Sequence, residues 1–267
     1  MRENRRIAVL FFTDAYEKQG FYREMEREGW DVSCISCRGM EGTNCYCDEA
    51  AAEEIRERIR PFGAGGLHFL DSGNYHYVSR LWLELVTEPF DLLVFDHHTD
   101  MQEPAFGGIL SCGGWVRAAL EELPLLRRVY LAGPPGSSPE AAEETAGFEG
   151  RVSWIREEEL GRGEGLGEML QGRGGGDGSG AGKASESGEA NRLPLYISVD
   201  KDILTREDAV TNWDQGQVGL DELLACVRAA FGGRRVIGMD VCGEAPGEEA
   251  AAKRNDRANG ELCRVQY

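Results

Sequence analysis

The chain has 267 residues, 47 acidic and 29 basic, and its net charge of −18 argues against a nucleic-acid partner, because affinity for phosphate backbones depends on clustered lysine and arginine. No apolar run approaches the length of a membrane-spanning helix, and residues 1–14 do not resemble a secretory signal. Eight cysteines in a chain of this length predict reduced thiols or metal ligands rather than a disulfide framework, so we expect a cytoplasmic protein without a membrane partner.

Short β-branched and aromatic runs alternate with helix-forming segments, a pattern typical of βα units that build a parallel sheet. Eight strands are predicted, several of them apolar throughout, as strands covered on both faces tend to be: 6–12, 31–36, 66–71, 91–96, 128–132, 152–155, 195–200 and 235–241. Helices are predicted at 17–28, 49–60, 77–85, 115–123, 139–145 and 220–231, with Pro124 and the pair Gly232-Gly233 as stop signals. The pattern predicts an α/β fold with an eight-stranded, mainly parallel sheet.

A segment from 161 to about 191 interrupts this alternation. Glycine, serine, alanine and glutamate dominate it, and such a composition has almost no capacity to bury surface. We interpret it as a disordered surface insertion; a linker between two domains is the alternative. The strands on either side have the same character, and the second block, with only two strands, would make a poor separate core. The prediction is therefore a single domain over 5–265 with one insertion.

Acidic residues follow two of the predicted strands at the point where each strand ends. Asp96, His98 and Asp100 alternate after the fourth strand, and Asp200 and Asp202 alternate after the seventh, so each set can face one side of an extended backbone. In an open parallel sheet, ligands bind beyond the carboxyl ends of the strands. Four carboxylates and an imidazole near one point would raise one another's pKa values unless divalent cations neutralised them. The pattern favours a metal site over solvated loops or helix caps.

The donor types indicate which metal would bind. Carboxylate-rich sites with one or two imidazoles suit Mn²⁺ or a related divalent ion better than structural zinc, which prefers thiolates and closed tetrahedra. Two ions could share Asp96 and Asp200 as bridges and hold a hydroxide between them as nucleophile. The sequence thus predicts a site for two metal ions and, with it, a hydrolase.

Two motifs resemble those of the arginase and agmatinase (ureohydrolase) family. Segment 96–100 (Asp-His-His-Thr-Asp) resembles its Asp-x-His-x-Asp motif, and segment 198–202 (Ser-Val-Asp-Lys-Asp) resembles its Ser-x-Asp-x-Asp motif. A weaker counterpart of its Gly-Gly-Asp-His motif lies at 73–76 (Gly-Asn-Tyr-His). The resemblance covers most of the chain and implies the family's three-layer αβα sandwich. It also implies two Mn²⁺ ions, one held by His76, Asp96, Asp100 and Asp200 and the other by Asp96, His98, Asp200 and Asp202.

Departures from the family's pattern concern the residues around the metals. Tyr75 replaces the aspartate before His76, so the contacts that orient this histidine are altered. Trp115 stands where the family has a proton-shuttling histidine, and an indole cannot act as an acid near neutral pH, which counts against authentic arginine hydrolysis. Asp100 is the candidate for orienting the nucleophile and moving a proton. Glu244 is the candidate for the family's guanidinium-binding glutamate, although it lies one position later in the sequence than a strict alignment requires.

Other histidines and cysteines receive structural interpretations. His97 is predicted to point away from the metals, because neighbouring residues of an extended chain face opposite ways. His68 lies inside an apolar strand and is interpreted as a core histidine. Four thiols within a short span permit a small Zn²⁺ or redox site, but without a nearby histidine or regular spacing they are better interpreted as small hydrophobes. These are Cys34, Cys37, Cys45 and Cys47.

Three functions compete. The first is a Mn²⁺-dependent hydrolase of the ureohydrolase type, in which a metal-bridging hydroxide attacks the trigonal carbon of a small guanidino or amide compound. The second is deacetylase-like amide hydrolysis with one Zn²⁺; His76 and the two aspartates of segment 198–202 weigh against it, because they supply more ligands than one metal needs. The third, a metal-binding or regulatory protein without catalysis, follows from the replaced histidine. Since the family tends towards trimers and hexamers, a homo-oligomer is a possible assembly.

Overall fold

The structure is a computed structural model that describes residues 5–104, 107–134, 143–161, 166, 170, 192–247 and 249–265. Within these residues the strands are β1 (Arg6–Phe11), β2 (Asp31–Ser36), β3 (Tyr46–Cys47), β4 (Gly66–Phe69), β5 (Phe90–Phe95), β6 (Leu110–Ser111), β7 (Leu126–Ala132), β8 (Val152–Ile155), β9 (Leu195–Asp200) and β10 (Val236–Cys242). The α-helices are α1 (Phe21–Arg27), α2 (Glu49–Ile59), α3 (Val78–Leu83), α4 (Trp115–Glu122), α5 (Glu157–Leu160), α6 (Leu220–Gly233) and α7 (Glu249–Arg264).

Eight of the strands form one sheet in the order β2-β1-β4-β10-β9-β5-β7-β8. Every pairing in this sheet is parallel, which confirms the predicted α/β class and the predicted number of strands. The short strands β3 and β6 form a separate antiparallel ribbon. Because β9 and β10 lie in the middle of the sheet, between β4 and β5, the carboxyl ends of these four strands are neighbours.

Helices cover both faces of the sheet, which gives the predicted three layers. Along β5, Leu93 and Phe95 belong to one hydrophobic core, whereas Leu92 and Val94 belong to the other. Helices α1, α6 and α7 contribute side chains to the first core, and α2, α3 and α4 contribute to the second. Burial on both sides explains why the central strands are apolar throughout, since each apolar side chain removed from water stabilises the fold.

Helix boundaries depart from the prediction where distant residues set them. α1 begins at Phe21 rather than at residue 17, because the Asp256 carboxylate of α7 accepts hydrogen bonds from the backbone N–H groups of Gly20 (2.8 Å) and Phe21 (2.7 Å). α6 continues through Gly232 and Gly233, which the sequence predicts as a stop. α7 has no counterpart among the predicted helices. Of the predicted helix 139–145, only residues from 143 onward are described.

The predicted insertion at about 161–191 lies outside the described residues except for Gly161, Leu166 and Leu170. Both leucines are buried in the core that α1, α6 and α7 cover. The strands before and after this segment belong to one sheet, and the single interrupted domain stays a prediction. No helix in the described part of the chain combines the length and the apolar composition that crossing a membrane requires.

Candidate metal centre

Loops at the carboxyl ends of the central strands bring the predicted metal ligands together. β5 and β9 are paired with Phe95 opposite Val199, which places the following residues, Asp96 and Asp200, at the same level on neighbouring strands. His76 comes from the loop after β4. The predicted ligands all line one cavity of about 270 Å³: His76, Asp96, His98, Asp100, Asp200 and Asp202.

Hydrogen bonds within and between the loops after β5 and β9 fix these ligands. Asp96 Oδ1 accepts the backbone N–H of His98 at 2.6 Å, and Asp200 Oδ1 accepts that of Asp202 at 2.9 Å. Each aspartate therefore closes a tight turn over the two residues that follow it. Asp202 Oδ1 in turn accepts the backbone N–H of His97 at 3.1 Å, which ties the two loops together.

His76 is held from behind and faces the carboxylates. One ring nitrogen, Nε2, lies 2.9 Å from Ser198 Oγ, and the Ser198 hydroxyl donates to Asp240 Oδ1 at 2.6 Å. Since that hydroxyl's hydrogen is used, it accepts the Nε2 hydrogen of His76. Burial disfavours the charged ring, but the acidic groups around it outweigh burial and raise the pKa of His76 well above its usual value, so Nδ1 carries a proton that a metal ion would displace. Nδ1 faces Asp100 Oδ2, 2.9 Å away, and Asp96 Oδ2, 3.2 Å away. This is the arrangement of a histidine that ligates a metal while a hydrogen bond holds its other nitrogen.

The altered contacts that the sequence predicts around His76 are thus supplied by other residues. Tyr75 does not hold the ring; it stacks on Phe12 with ring centroids 4.1 Å apart. Ser198 and Asp240, which orient His76, come from the adjacent strands β9 and β10, where they are directly paired. Ser198 is part of a recognised motif, but its role depends on this pairing and could not be assigned from local sequence.

Asp96 lies between the two histidines. His98 Nδ1 is 2.9 Å from Asp202 Oδ2 and 3.5 Å from Asp96 Oδ1, while His76 Nδ1 is near the other oxygen, Asp96 Oδ2. That Oδ2 atom is buried and accepts no hydrogen bond in the described part of the chain. A buried carboxylate that has an imidazole nitrogen near each oxygen, and one oxygen without a hydrogen bond, fits a divalent cation.

Among the described residues, three clusters of donor atoms satisfy the spacing of a metal site, since the atoms of each lie within 4.8 Å of one another. Two of them consist of predicted ligands and share Asp96, as expected for two adjacent ions. The third includes a cysteine that the sequence did not single out. The clusters are His76, Asp96 and Asp100; Asp96, His98 and Asp202; and His76, Asp200 and Cys242.

Burial and neighbouring charges shift the pKa values of the carboxyl groups in opposite directions. Burial disfavours ionisation of Asp96, but its contacts with His76 and His98 outweigh burial and lower its pKa below the usual value. Burial, with a further contribution from the charge of Asp96, raises the pKa of Asp100 to about 6. Burial and two neighbouring aspartates raise the pKa of Asp202 well above its usual value. Such a cluster binds either protons or cations, because its carboxylates resist ionising together.

Trp115, which the sequence predicts to stand where the family has a proton-shuttling histidine, is buried beside Asp100. Its indole Nε1–H donates a hydrogen bond to Asp100 Oδ2 at 2.6 Å. The indole ring also lies against His76, with ring centroids 4.8 Å apart. Trp115 therefore positions both residues through contacts that involve no proton transfer.

Glu244 does not line the cavity. Its carboxylate forms a buried ion pair with Lys201 and accepts hydrogen bonds from Gln19 at 2.7 Å and Asn259 at 2.8 Å. The chain turns away from the site at Gly243, whose φ is 89° and where an added Cβ would lie 2.4 Å from Asp200 Oδ1. Glu244 therefore does not reach the cavity in this structure, so it is not placed for the guanidinium-binding role that the sequence predicts.

The remaining histidines lie where the sequence predicts. His68 is buried, stacks on Trp82 with ring centroids 3.7 Å apart and contacts the Tyr196 hydroxyl at 3.0 Å. Burial lowers the pKa of His68 to about 3, as expected for a neutral core histidine. His97 does not line the cavity; its nearest charged partner is Glu157, 3.9 Å away.

The four clustered cysteines do not converge on a metal site within the described residues. Cys37 and Cys47 are buried in a hydrophobic core, which agrees with the interpretation as small hydrophobes, whereas Cys34 is exposed. Cys45 lines the cavity together with Cys112. Sequence reasoning therefore missed that the β3–β6 ribbon forms one wall of the site.

Comparisons with known proteins identify a family for this chain. A family model described as "Arginase family" matches residues 31–265. A relative from Thermotoga maritima, described only as an uncharacterized protein, is 27% identical over 238 residues, which span 89% of this chain and 79% of the relative.

Solved structures show the same fold. Arginase from Bacillus caldovelox superposes with a TM-score of 0.69 and 15% identity, covering 98% of this chain and 97% of that chain. A Trypanosoma cruzi formiminoglutamase with Mn²⁺ superposes with a TM-score of 0.67 and 13% identity, covering 98% of this chain and 93% of that chain. These likenesses confirm the predicted arginase-like αβα sandwich.

Proposed function

Because the chain belongs to the arginase family, we propose that it is a hydrolase whose binuclear metal site cleaves a C–N bond of a small guanidino or amide compound. One observation carries the proposal: the buried carboxylate of Asp96 lies between His76 and His98, with one oxygen that accepts no hydrogen bond from the described residues. Such a carboxylate would suit divalent ions, because a cation can satisfy the oxygen that the described residues leave without a hydrogen bond.

The predicted ligands divide into two sets around Asp96. We assign His76, Asp96, Asp100 and Asp200 to one ion, and Asp96, His98, Asp200 and Asp202 to the other. Both sets are dominated by carboxylate oxygen, which suits Mn²⁺. The proposed cofactor is therefore two Mn²⁺ per chain.

Side chains of the protein would orient the reacting water and transfer its proton. Two bound ions would polarise the substrate and lower the pKa of water towards neutrality. Asp100 Oδ2 accepts the Trp115 N–H and lies 2.9 Å from His76 Nδ1, so its carboxylate is held in one orientation. Asp100 is therefore the group placed to orient a bound water and to pass on its proton.

The cavity wall favours a cationic or neutral substrate. Among the described residues that line it there is no lysine or arginine, whereas four are aspartates. Tyr46 and Trp213 stand at its edge and are the exposed large hydrophobic side chains of the described chain, 42% and 40% exposed. The four aspartates are the proposed metal ligands, so the aromatic faces of Tyr46 and Trp213 are the groups left to attract a planar guanidinium group.

A metal-binding protein of this family without ureohydrolase activity is the second candidate. Two observations favour it. The indole of Trp115 stands where the family's proton-shuttling histidine is expected, and Glu244 is absent from the described cavity wall. The two candidates share the metal site and differ only in turnover.

Metal quantification followed by a panel of guanidino compounds tests both. We expect two divalent ions per chain, Mn²⁺ among them, and release of urea from at least one compound; bound metal without turnover of any compound would favour the second candidate. The double variant Asp96→Ala, Asp200→Ala should lose both ions, whereas Asp221→Ala, an exposed aspartate of α6, should keep them. Full metal content in the double variant would contradict the site assignment.

A further inference from the structure

Cys242 brings a sulfur atom to one half of the proposed metal site. Its Sγ lies 3.0 Å from Asp200 Oδ2 and belongs to a donor cluster with His76 and Asp200. We call these three residues the thiol subsite. The cluster of Asp96, His98 and Asp202, which we call the oxygen subsite, offers only carboxylate oxygen and imidazole nitrogen. The two halves of the site therefore differ in donor chemistry.

Strand pairing fixes the sulfur in this place. Cys242 is the last residue of β10 and lies directly opposite Asp200, the last residue of β9. Its side chain is fully buried, so the thiol cannot swing out to solvent. Gly243 follows with a φ of 89° and leads the chain away, and an added Cβ there would collide with Asp200. The contact between Cys242 and Asp200 is thus built into the sheet.

A thiolate changes which ion a site prefers. Sulfur ligands select softer ions such as Zn²⁺ or Co²⁺, whereas carboxylate and imidazole sites without sulfur accept Mn²⁺. A thiol that binds a divalent ion loses its proton, because the thiolate is the ligand. His76, with Nδ1 directed at the carboxylates, and Asp200 supply the nitrogen and oxygen donors that complete such a subsite.

We propose that the Cys242 thiolate is a ligand of the ion held by His76 and Asp200, so that the thiol subsite binds Zn²⁺ or Co²⁺ in preference to Mn²⁺, while the oxygen subsite binds Mn²⁺. In binding, the S–H bond breaks, a sulfur–metal bond forms and the proton passes to solvent. The proposal rests on the metal site of the proposed function and makes that site heterobinuclear. No other cysteine belongs to a donor cluster within the described residues.

Cobalt binding gives a readout that is independent of activity. Metal-free full-length protein, prepared with a chelator, is titrated with Co²⁺ alone while near-ultraviolet absorption is recorded. We expect a thiolate-to-cobalt charge-transfer band in the wild type, its loss in Cys242→Ser, and its retention in Cys112→Ser, which changes the other buried cysteine near the ligands. In competition between Zn²⁺ and Mn²⁺, Cys242→Ser should lower the ratio of Zn²⁺ affinity to Mn²⁺ affinity at the thiol subsite by about tenfold or more.

A second measurement needs no variant, in case Cys242→Ser fails to fold. X-ray absorption of the Zn²⁺-loaded wild type should show a sulfur neighbour in the first coordination shell. A protein that binds Co²⁺ and Zn²⁺ without a charge-transfer band and without a sulfur neighbour would overturn the Cys242 proposal and leave the binuclear site standing. If the wild type bound no ion, as we expect of the Asp96→Ala, Asp200→Ala variant, both the Cys242 proposal and the proposed binuclear site would be overturned.

Discussion

Trp115, predicted from the sequence to stand where the family has a proton-shuttling histidine, contacts the carboxylate of Asp100. Its N–H donates to Asp100 Oδ2 at 2.6 Å, and it is buried with that aspartate. A hydrogen bond to the ionised form of a carboxyl group lowers its pKa, so the indole opposes the effect of burial on Asp100. Trp115 is therefore a positioning residue that also favours the carboxylate form.

Replacement of Trp115 by phenylalanine should make metal binding require a higher pH. The variant keeps an aromatic ring but removes the N–H, so the pKa of Asp100 should rise above about 6 and protons should compete with metal up to a higher pH. Affinity at neutral pH should fall about 10- to 100-fold. Metal titrations between pH 5 and 8 measure both effects.

The matched control is Trp82→Phe, because the indole N–H of Trp82 is buried but makes no hydrogen bond within the described residues. This variant should leave the pH dependence of metal binding unchanged. An identical shift in both variants, or none in Trp115→Phe, would show that the hydrogen bond to Asp100 has no such effect.

The sequence reveals some residues of the site because their signal is local. Asp96 and Asp200 directly follow apolar strands, and alternation predicts which of the next residues share their side. The roles of Ser198 and Cys242 depend on pairing between β9 and β10, which lie about 40 residues apart in sequence. A local pattern cannot give that pairing.

At the scale of elements, α7 sets the start of α1. Asp256 Oδ1 accepts both the Gly20 and the Phe21 backbone N–H groups, which a helix leaves without internal partners at its first turn. No side chain of the segment just before α1 caps that end. The first helix therefore depends on the last one.

Replacement of Asp256 by alanine should lower the free energy of unfolding by about 1–2 kcal/mol, since two N–H groups lose their acceptor. Asp256→Asn keeps an acceptor oxygen and should lose less. Urea unfolding followed by circular dichroism measures the difference. Equal losses for the two variants would mean that charge, rather than the hydrogen bonds, accounts for the contribution of Asp256.

α7 also shows why one helix escapes prediction. Its buried face includes Asn255 and Asn259 among small residues such as Ala251 and Ala258, so few large apolar side chains mark that face in the sequence. The asparagines are buried because they hydrogen-bond to Glu244, at 2.8 Å in each case. The central strands β5 and β9, by contrast, are predictable because both of their faces are buried and mainly apolar.

At the scale of the whole molecule, one buried polar network joins the sheet to both ends of the described chain. Lys201 follows β9 and pairs with Glu244, which follows β10. Gln19, near the beginning of the chain, and Asn259 of α7 both donate to the Glu244 carboxylate. The side chains of Lys201 and Glu244 are 0% and 1% exposed, so neither charge can be compensated by water. Lys201 lies between the proposed metal ligands Asp200 and Asp202 in the sequence, so the network adjoins the proposed metal site.

Removal of one partner of this pair should therefore destabilise the protein strongly. Lys201→Met leaves the Glu244 carboxylate buried without its cation and should cost about 3–5 kcal/mol of unfolding free energy. The double variant Lys201→Met, Glu244→Gln removes both charges and should recover most of that loss. Urea unfolding is measured with a chelator present, so that changes in metal affinity do not contribute.

The exposed ion pair of Arg235 with Glu88 supplies the control, with side chains 60% and 48% exposed. Arg235→Met should cost less than about 1 kcal/mol, because water already screens such a pair. If Lys201→Met cost no more than Arg235→Met, the buried charge would have to be neutralised in another way. If the double variant were no more stable than Lys201→Met, the loss would come from packing rather than from the unpaired Glu244. Recovery in the double variant would show that the fold tolerates the loss of both buried charges but not the loss of one.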